Sequence, residues 1–235
     1  MLLVIKNVLD QNQLKVVNRL LVDAEFNDGK LSAGKEAAKV KNNLELSQQN
    51  HTGEVLHQQL NQMVMPSLVK HQDYQSSVYP LKVATPFYAR YETGMQYGFH
   101  VDDPIMGSPN SSMQERYRSD VSTTIFLNDD YQGGELVIKT ASGEQSFKCK
   151  AGDAIVYPSS SLHKVNEVTS GIRLVAITWA QSMVKENAKR EILYELSKSI
   201  ETLLENRNEL NNDDNKARVQ VNNVYANLLR RWSEL

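Results

Sequence analysis

Between residues 121 and 179 the chain breaks into short apolar runs separated by turn signals, and this rhythm limits the possible folds more than any other feature. Val121, Thr123, Ile125 and Leu127 alternate with Ser122, Thr124 and Phe126. Alternation with period two, in β-branched and aromatic residues, suits a pleated strand. Leu136 to Ile138, Phe147 to Cys149, Ala154 to Tyr157 and Ile172 to Trp179 are further short runs. Asn128-Asp129-Asp130, Gly133-Gly134, Ser142-Gly143, Ala151-Gly152-Asp153 and Ser170-Gly171 divide them, all turn-forming combinations. An earlier stretch, 81–91, carries Val83, Phe87, Tyr88 and Tyr91 and favours strand as well. Many short strands at this spacing predict an antiparallel sandwich or jelly roll.

The flanks have a different period. Asp10 is an expected N-cap, with Gln13 three residues on as a capping box requires, and Leu9 and Leu14 placed as a hydrophobic staple. Leu14, Val17, Leu21 and Ala24 repeat at helical spacing, and Asn27-Asp28-Gly29 is expected to end that helix. A second helix runs through Leu56, Leu60, Met63 and Val64, with Pro66 as its expected limit. Beyond 181, Ile192, Leu196, Ile200 and Leu203 form one helical stripe. Val221, Val224, Tyr225, Leu228, Leu229 and Trp232 form another, joined to the first through the polar segment 206–215. The expected organisation is a helical and mixed support region (1–78), a β core (79–180) and a C-terminal helical hairpin (181–235). The hairpin would dock on the sheet, with a contribution to a homodimer interface.

Composition narrows the function classes. The chain has 235 residues, enough for one enzyme-sized domain with an appendage. Lys and Arg number 26 against 28 Asp and Glu, with no basic block, so nucleic acid is not an expected partner. Cys149 is the single cysteine, so no intrachain disulfide can form. The N-terminal apolar run Met1-Leu2-Leu3-Val4-Ile5 is too short for a secretory signal, and no stretch approaches a membrane span. A cytoplasmic protein without a membrane partner is expected.

Chemistry concentrates in few residues. In Phe99-His100-Val101-Asp102 the imidazole and carboxylate stand two positions apart, and on a strand they would project from one face. His163, just beyond a short strand, is the best third ligand. Two His and one carboxylate make the facial triad of non-haem iron(II) oxygenases. The remaining histidines, His51, His57 and His71, lie in helical or linker sequence and read as surface residues. Arg173 enters the apolar run that ends at Trp179. A buried arginine implies a buried anion, and its planar fork matches a carboxylate. 2-Oxoglutarate could chelate iron through its 2-oxo acid end and offer its far carboxylate to Arg173. An internal Arg–Glu pair, or an arginine at the solvent rim, is the alternative.

With these residues in view, the chain resembles the prolyl-4-hydroxylase-like branch of the iron(II)/2-oxoglutarate dioxygenases, and within it the bacterial PKHD-type hydroxylases. The resemblance is carried by Val40-Lys41-Asn42-Asn43, Ala89-Arg90-Tyr91-Glu92, Gly98-Phe99-His100-Val101-Asp102, Gly133-Gly134-Glu135-Leu136, His163, Arg173 and the helical C-terminus. It implies a double-stranded β-helix, a jelly roll of roughly eight core strands. It also implies iron(II), 2-oxoglutarate, oxygen and ascorbate, and hydroxylation of an unactivated C–H bond with release of succinate and carbon dioxide. The substrate by analogy is prolyl, though another peptidyl side chain, an amino acid or a small metabolite suits the same chemistry. In one respect the chain departs from the family. Relatives often carry a tyrosine in the strand that here reads Thr124-Ile125-Phe126-Leu127. Phe126 has no hydroxyl, so Tyr91 and Thr124 become the candidates to assist Arg173.

The polar segment 103–120, with Arg116 and Arg118, follows the first two metal ligands and is an expected substrate lid. Two other readings stand beside the dioxygenase. One is a catalytically silent metal- or ligand-binding protein. The other is a cupin-like metalloenzyme that does not use 2-oxoglutarate, which Arg173 disfavours.

Overall fold

The computed structural model describes residues 1–107, 116–205 and 212–235. Strand β1 (Leu3–Ile5) leads into helix α1 (Gln11–Val22). The capping box forms as expected: the Asp10 carboxylate accepts from the Asn12 and Gln13 amides, and the Gln13 side chain accepts from the Asp10 amide. Leu14, Val17 and Leu21 make the buried stripe of α1. The turn expected at Asn27-Asp28-Gly29 is instead strand β2 (Phe26–Asp28), followed by two 3-10 turns at Gly29–Ser32 and Ala37–Lys39. Strands β3 (Lys41–Asn42) and β4 (Leu44–Leu46) come next, then helices α2 (His51–Val69) and α3 (Gln72–Val78). Pro66 does not limit α2 but lies inside it. One turn from the end, its missing N–H removes a single bond while Leu60, Val64 and Leu68 hold the helix on the core.

The remaining strands are β5 (Pro80–Val83), β6 (Phe87–Tyr91), β7 (Gln96–His100), β8 (Ile105–Met106), β9 (Tyr117–Arg118) and β10 (Val121–Phe126). They continue with β11 (Gln132–Gly133), β12 (Leu136–Thr140), β13 (Gly143–Phe147), β14 (Ala154–Pro158), β15 (His163–Val165), β16 (Val168–Ser170) and β17 (Arg173–Ser182). Two helices, α4 (Asn187–Glu205) and α5 (Asn212–Trp232), end the chain.

The expected jelly roll is corrected by the strand pairing. The larger sheet runs β1-β14-β10-β17-β6-β4-β2, with β5 also on β17, and the second runs β13-β12-β15-β7-β3. β8–β9 and β11–β16 form separate pairs, and among the described residues no ladder joins the two large sheets. The result is a mixed α/β fold of several open sheets rather than a closed barrel, and not a mainly β one, since helices hold about as much of the chain as strands. The reason is visible at residues 41–46. β3 bonds to β7 in one sheet while β4, one residue on, bonds to β6 in the other, so the chain turns the corner without a continuous ladder.

Both faces of the larger sheet are covered, which is why all six residues of β10 are buried. Val121 and Ile125 face the helices, among Leu14, Leu21, Leu60 and Val64. Phe126 faces the second sheet, among Tyr91, Leu136, Ile138, Tyr157 and Val175. His57, expected at the surface, is buried beside Tyr88, because Pro86 O and Asn61 satisfy both ring nitrogens. His51 is exposed, and His71 caps α3.

α4 packs on α3 and on α5. Leu193 and Ile200 are the buried apolar positions of α4, with Arg190 buried beside them; of the expected stripe Ile200 is buried and Leu196 and Leu203 are half-buried, but Ile192 is 46% exposed and Leu193 takes its place. Tyr225, Leu228, Leu229 and Trp232 pack on Tyr79, Val184 and Leu193, while Val224 faces outward. Residues 206–211 of the inter-helix segment lie outside the described residues.

Candidate metal centre

A cleft of about 900 Å³, counting its open mouth, lies between the inner faces of the two sheets. His100 ends β7 and His163 begins β15, and the two are direct antiparallel partners. Their rings stand 4.2 Å apart between centroids. Asp102 does not lie on the strand, as the same-face argument supposes; β7 stops at His100, and Asp102 reaches the site from the following loop. It still arrives: Asp102 Oδ1 is 3.9 Å from His163 Nε2, and one donor atom from each of the three residues falls within 4.8 Å of the others.

Local bonding prepares both imidazoles. His100 Nδ1 is 2.9 Å from Gly98 O, and His163 Nδ1 is 2.9 Å from Ser161 O. A carbonyl only accepts, so Nδ1 carries the proton and Nε2 is left with a lone pair for a metal. Burial, and then the neighbouring His163, lower the His100 pKa to about 4, so His100 is neutral near pH 7. Tyr97 stacks on His100 at 3.6 Å and fixes its plane. Two bare imidazole nitrogens beside a carboxylate suit a divalent transition metal.

Arg173 lies deeper in the same cleft, 1% exposed. Its guanidinium lies over the Tyr91 ring at 5.0 Å and the Phe126 ring at 5.6 Å. Its Nε and Nη1 have no hydrogen-bond partner, and among the described residues no carboxylate lies within ion-pair distance. The internal Arg–Glu alternative is therefore absent among these residues. A desolvated cation without a counter-charge is costly, and this one faces a cavity that admits a carboxylate.

Tyr91 and Thr124 share that cavity. Tyr91 offers Arg173 its ring, and burial raises its hydroxyl to about 12 while the Arg173 charge, and to a smaller extent a hydrogen bond with Asn43, pull the other way. Thr124 lies beside the buried Tyr157 hydroxyl, whose pKa is pushed well up by burial and further by Asp102. Arg118 is not poised at the mouth: its fork closes on Asp120 at 2.6 and 3.0 Å. Arg116 is exposed, and residues 108–115 of the expected lid lie outside the described residues.

Sequence reasoning missed Ser122, whose hydroxyl meets Asp102, and the buried Lys41–Glu45 pair at 2.5 Å on the cleft wall. A serine on the inward face of a core strand is a polar group where an apolar one is expected, and that is the signal that could have found it.

Residues 86–181 match the 2OG-Fe(II) oxygenase superfamily, and residues 187–234 match the PKHD-type hydroxylase C-terminal domain. A PKHD-type hydroxylase of Gluconobacter oxydans is 42% identical over the whole of both chains. Another, from Thioalkalivibrio sulfidiphilus, is 45% identical, again over the whole of both. Among solved structures, a prolyl hydroxylase from Trichoplax adhaerens, in complex with a peptide fragment of a hypoxia-inducible factor, aligns with TM-score 0.52 at 14% identity, covering 80% of this chain and 86% of that one. The 2-oxoglutarate-dependent carbocyclase SnoK of nogalamycin biosynthesis aligns with TM-score 0.53 at 14% identity, covering 77% and 79%. At such identity these two speak for the fold.

Proposed function

The chain belongs to the PKHD-type hydroxylases of the 2OG-Fe(II) oxygenase superfamily, and from that premise we propose that His100, Asp102 and His163 hold the iron and Arg173 the far carboxylate of 2-oxoglutarate. It is an iron(II)- and 2-oxoglutarate-dependent dioxygenase. The observation that carries the residue assignment is the meeting of two features in one cleft: an N,N,O donor set at one level, and at another a buried guanidinium whose Nε and Nη1 have no hydrogen-bond partner.

When bound, iron(II) and 2-oxoglutarate would activate dioxygen, coupling release of succinate and carbon dioxide to hydroxylation of a substrate C–H bond, with one atom of O2 going to succinate and the other to the substrate. The protein supplies position and a dry site. Gly98 O and Ser161 O keep the imidazoles in the ligating tautomer. Tyr97 holds the His100 plane. Tyr91 and Phe126 flank the Arg173 guanidinium, so it meets its partner carboxylate without water and at a fixed height. Tyr91 serves this role through its ring, and Thr124 lines the wall beside it. Arg173 can present two parallel N–H donors, which fixes orientation as well as affinity.

The substrate we infer is a peptidyl or amino-acid side chain entering at the mouth formed by Gly34, Ala37, Asp103 and Met106. A peptide-bound structure among the fold relatives supports this direction. Ascorbate belongs to the same proposal as the reductant that keeps iron ferrous, carried over from the family. A cytoplasmic setting accords with the buried, unpaired Cys149 thiol. The test is mass spectrometry of peptide and amino-acid pools incubated with the iron-loaded enzyme and 2-oxoglutarate. A gain of one oxygen atom that requires both the metal and Arg173 supports the reading, whereas gain in a His163→Ala enzyme refutes it.

A further inference from the structure

Resting on the iron assignment above, we propose that Ser122 and Ser159 are positioning residues for the metal: a two-hydroxyl relay that fixes Asp102 as a one-oxygen ligand. Ser122 Oγ is 2.5 Å from Asp102 Oδ2 and 2.8 Å from Ser159 Oγ. Both serines are buried, at 0% and 2% exposure. A hydroxyl has one proton to give, and a carboxylate can only accept. The Ser122 proton therefore points at Asp102, and the contact with Ser159 must run the other way, with Ser159 donating. The direction Ser159 to Ser122 to Asp102 follows from these partners alone.

The consequence lies in which carboxylate oxygen remains. Oδ2 is occupied by Ser122, while Oδ1 is the oxygen near His163 Nε2. A hydrogen bond to Oδ2 holds the carboxylate plane and disfavours a swing that would chelate a metal with both oxygens. Oδ1 would then be the single oxygen that Asp102 offers to a metal. The architecture explains why an anchor is needed. His100 and His163 are held by a strand ladder, but Asp102 lies beyond the end of β7. Ser122 is on β10, between β14 and β17, in register with Tyr157 and Trp179. Ser159 follows β14 directly, its amide bonded to Asp120 O. The loop carboxylate is thus referred to a fully buried interior strand of the larger sheet, across the cleft from the two histidines.

The alternative is that the two hydroxyls only satisfy each other. Such a pair is dispensable, since removing both partners of a buried hydrogen bond can be nearly neutral. Metal affinity separates the cases. The full-length protein is stripped with chelator and titrated with cobalt(II), followed by visible absorption, for wild type, Ser122→Ala, Ser159→Ala and Asp102→Ala. Loss of an outer partner of a ligand typically weakens metal binding by about 10–100-fold. Ser122→Ala should show a loss of that size, with its melting temperature in chelator close to wild type. Ser159→Ala should lose several-fold, because Ser122 keeps its bond to Asp102 but loses the donor that directs it. A wild-type dissociation constant in Ser122→Ala overturns the relay, even if that variant melts earlier. Should Ser122→Ala not fold, Ser159→Ala decides, and unchanged cobalt affinity there overturns it. Asp102→Ala binding as tightly as wild type would instead remove the triad assignment itself, a failure recognisable apart from that of the relay.

Discussion

Replacing Arg173 should separate cosubstrate affinity from stability, in opposite directions. The side chain is 1% exposed, flanked by two aromatic rings, with Nε and Nη1 unpartnered. Truncating one partner of a desolvated, hydrogen-bonded charge pair costs about 2–5 kcal/mol. Arg173→Ala should therefore weaken 2-oxoglutarate binding by roughly 30- to 5,000-fold. Arg173→Lys should recover only part, for want of the planar fork. The free protein should respond differently. Without cosubstrate the guanidinium is a buried cation with no carboxylate within ion-pair distance among the described residues, and replacing buried charge by an apolar side chain of similar length is often neutral or stabilising by about 1–4 kcal/mol. Arg173→Met should thus melt no lower than wild type in the absence of 2-oxoglutarate, and gain little from its addition. The assay is an anaerobic 2-oxoglutarate titration of the iron(II) protein, following the metal-to-ligand charge-transfer band, paired with thermal melts with and without cosubstrate. Equal 2-oxoglutarate affinity in Arg173→Ala and wild type would refute the reasoning. So would a large destabilisation of free Arg173→Met, which would mean that the guanidinium is already satisfied.

His163→Ala should lose tight iron(II) binding yet keep its melting temperature in chelator; isothermal titration with iron(II) at wild-type affinity would count against the triad. His100, ordinarily near 6.5, is lowered to about 4. The folded state then binds fewer protons than the unfolded chain between those values, so metal-free stability, full above about 6.5, should decline as pH falls toward about 4. In chelator that slope should be shallower for His100→Asn between pH about 6.5 and 5, and an identical slope would show that His100 does not contribute. Gly134 has φ +65°, and an added Cβ would lie 3.0 Å from Arg173 Cδ. Gly134→Ala should cost about 1–2 kcal/mol from the left-handed backbone and raise the KM for 2-oxoglutarate; an unchanged KM would show that Arg173 adjusts freely. Ending the chain before α4 uncovers Tyr79 and Val184, which Leu193 and the α5 side chains cover, so the truncated protein should sediment as aggregates. A monodisperse, active truncation would contradict that packing.

Local signals survive from sequence to structure where a single residue dictates them. Asp10 and Gln13 form their capping box because both partners are three residues apart. The β10 alternation reads correctly because its two faces meet different partners. Arg173 is legible because charge does not enter an apolar strand without a reason. What fails depends on contacts distant in sequence. β1, β2 and β4 are three-residue strands that exist only because an edge of the larger sheet accepts them. The division of β3 and β4 between sheets, which leaves the fold open, has no local signature. Asp102 reaches the cleft by a route that strand periodicity does not describe: it lies beyond the end of β7, and the tie to Ser122 holds it there. His57 was misplaced because a histidine with two internal partners looks, in sequence, like one at the surface.

The most direct test of the account is the fate of oxygen. Iron(II)-loaded enzyme is given 2-oxoglutarate and isotopically labelled oxygen gas, and succinate is analysed by mass spectrometry. Succinate should carry one labelled oxygen atom in the wild type, dependent on added iron(II) and lost in His163→Ala and Asp102→Ala. Unlabelled succinate, or labelled succinate formed equally by the ligand variants, would contradict it.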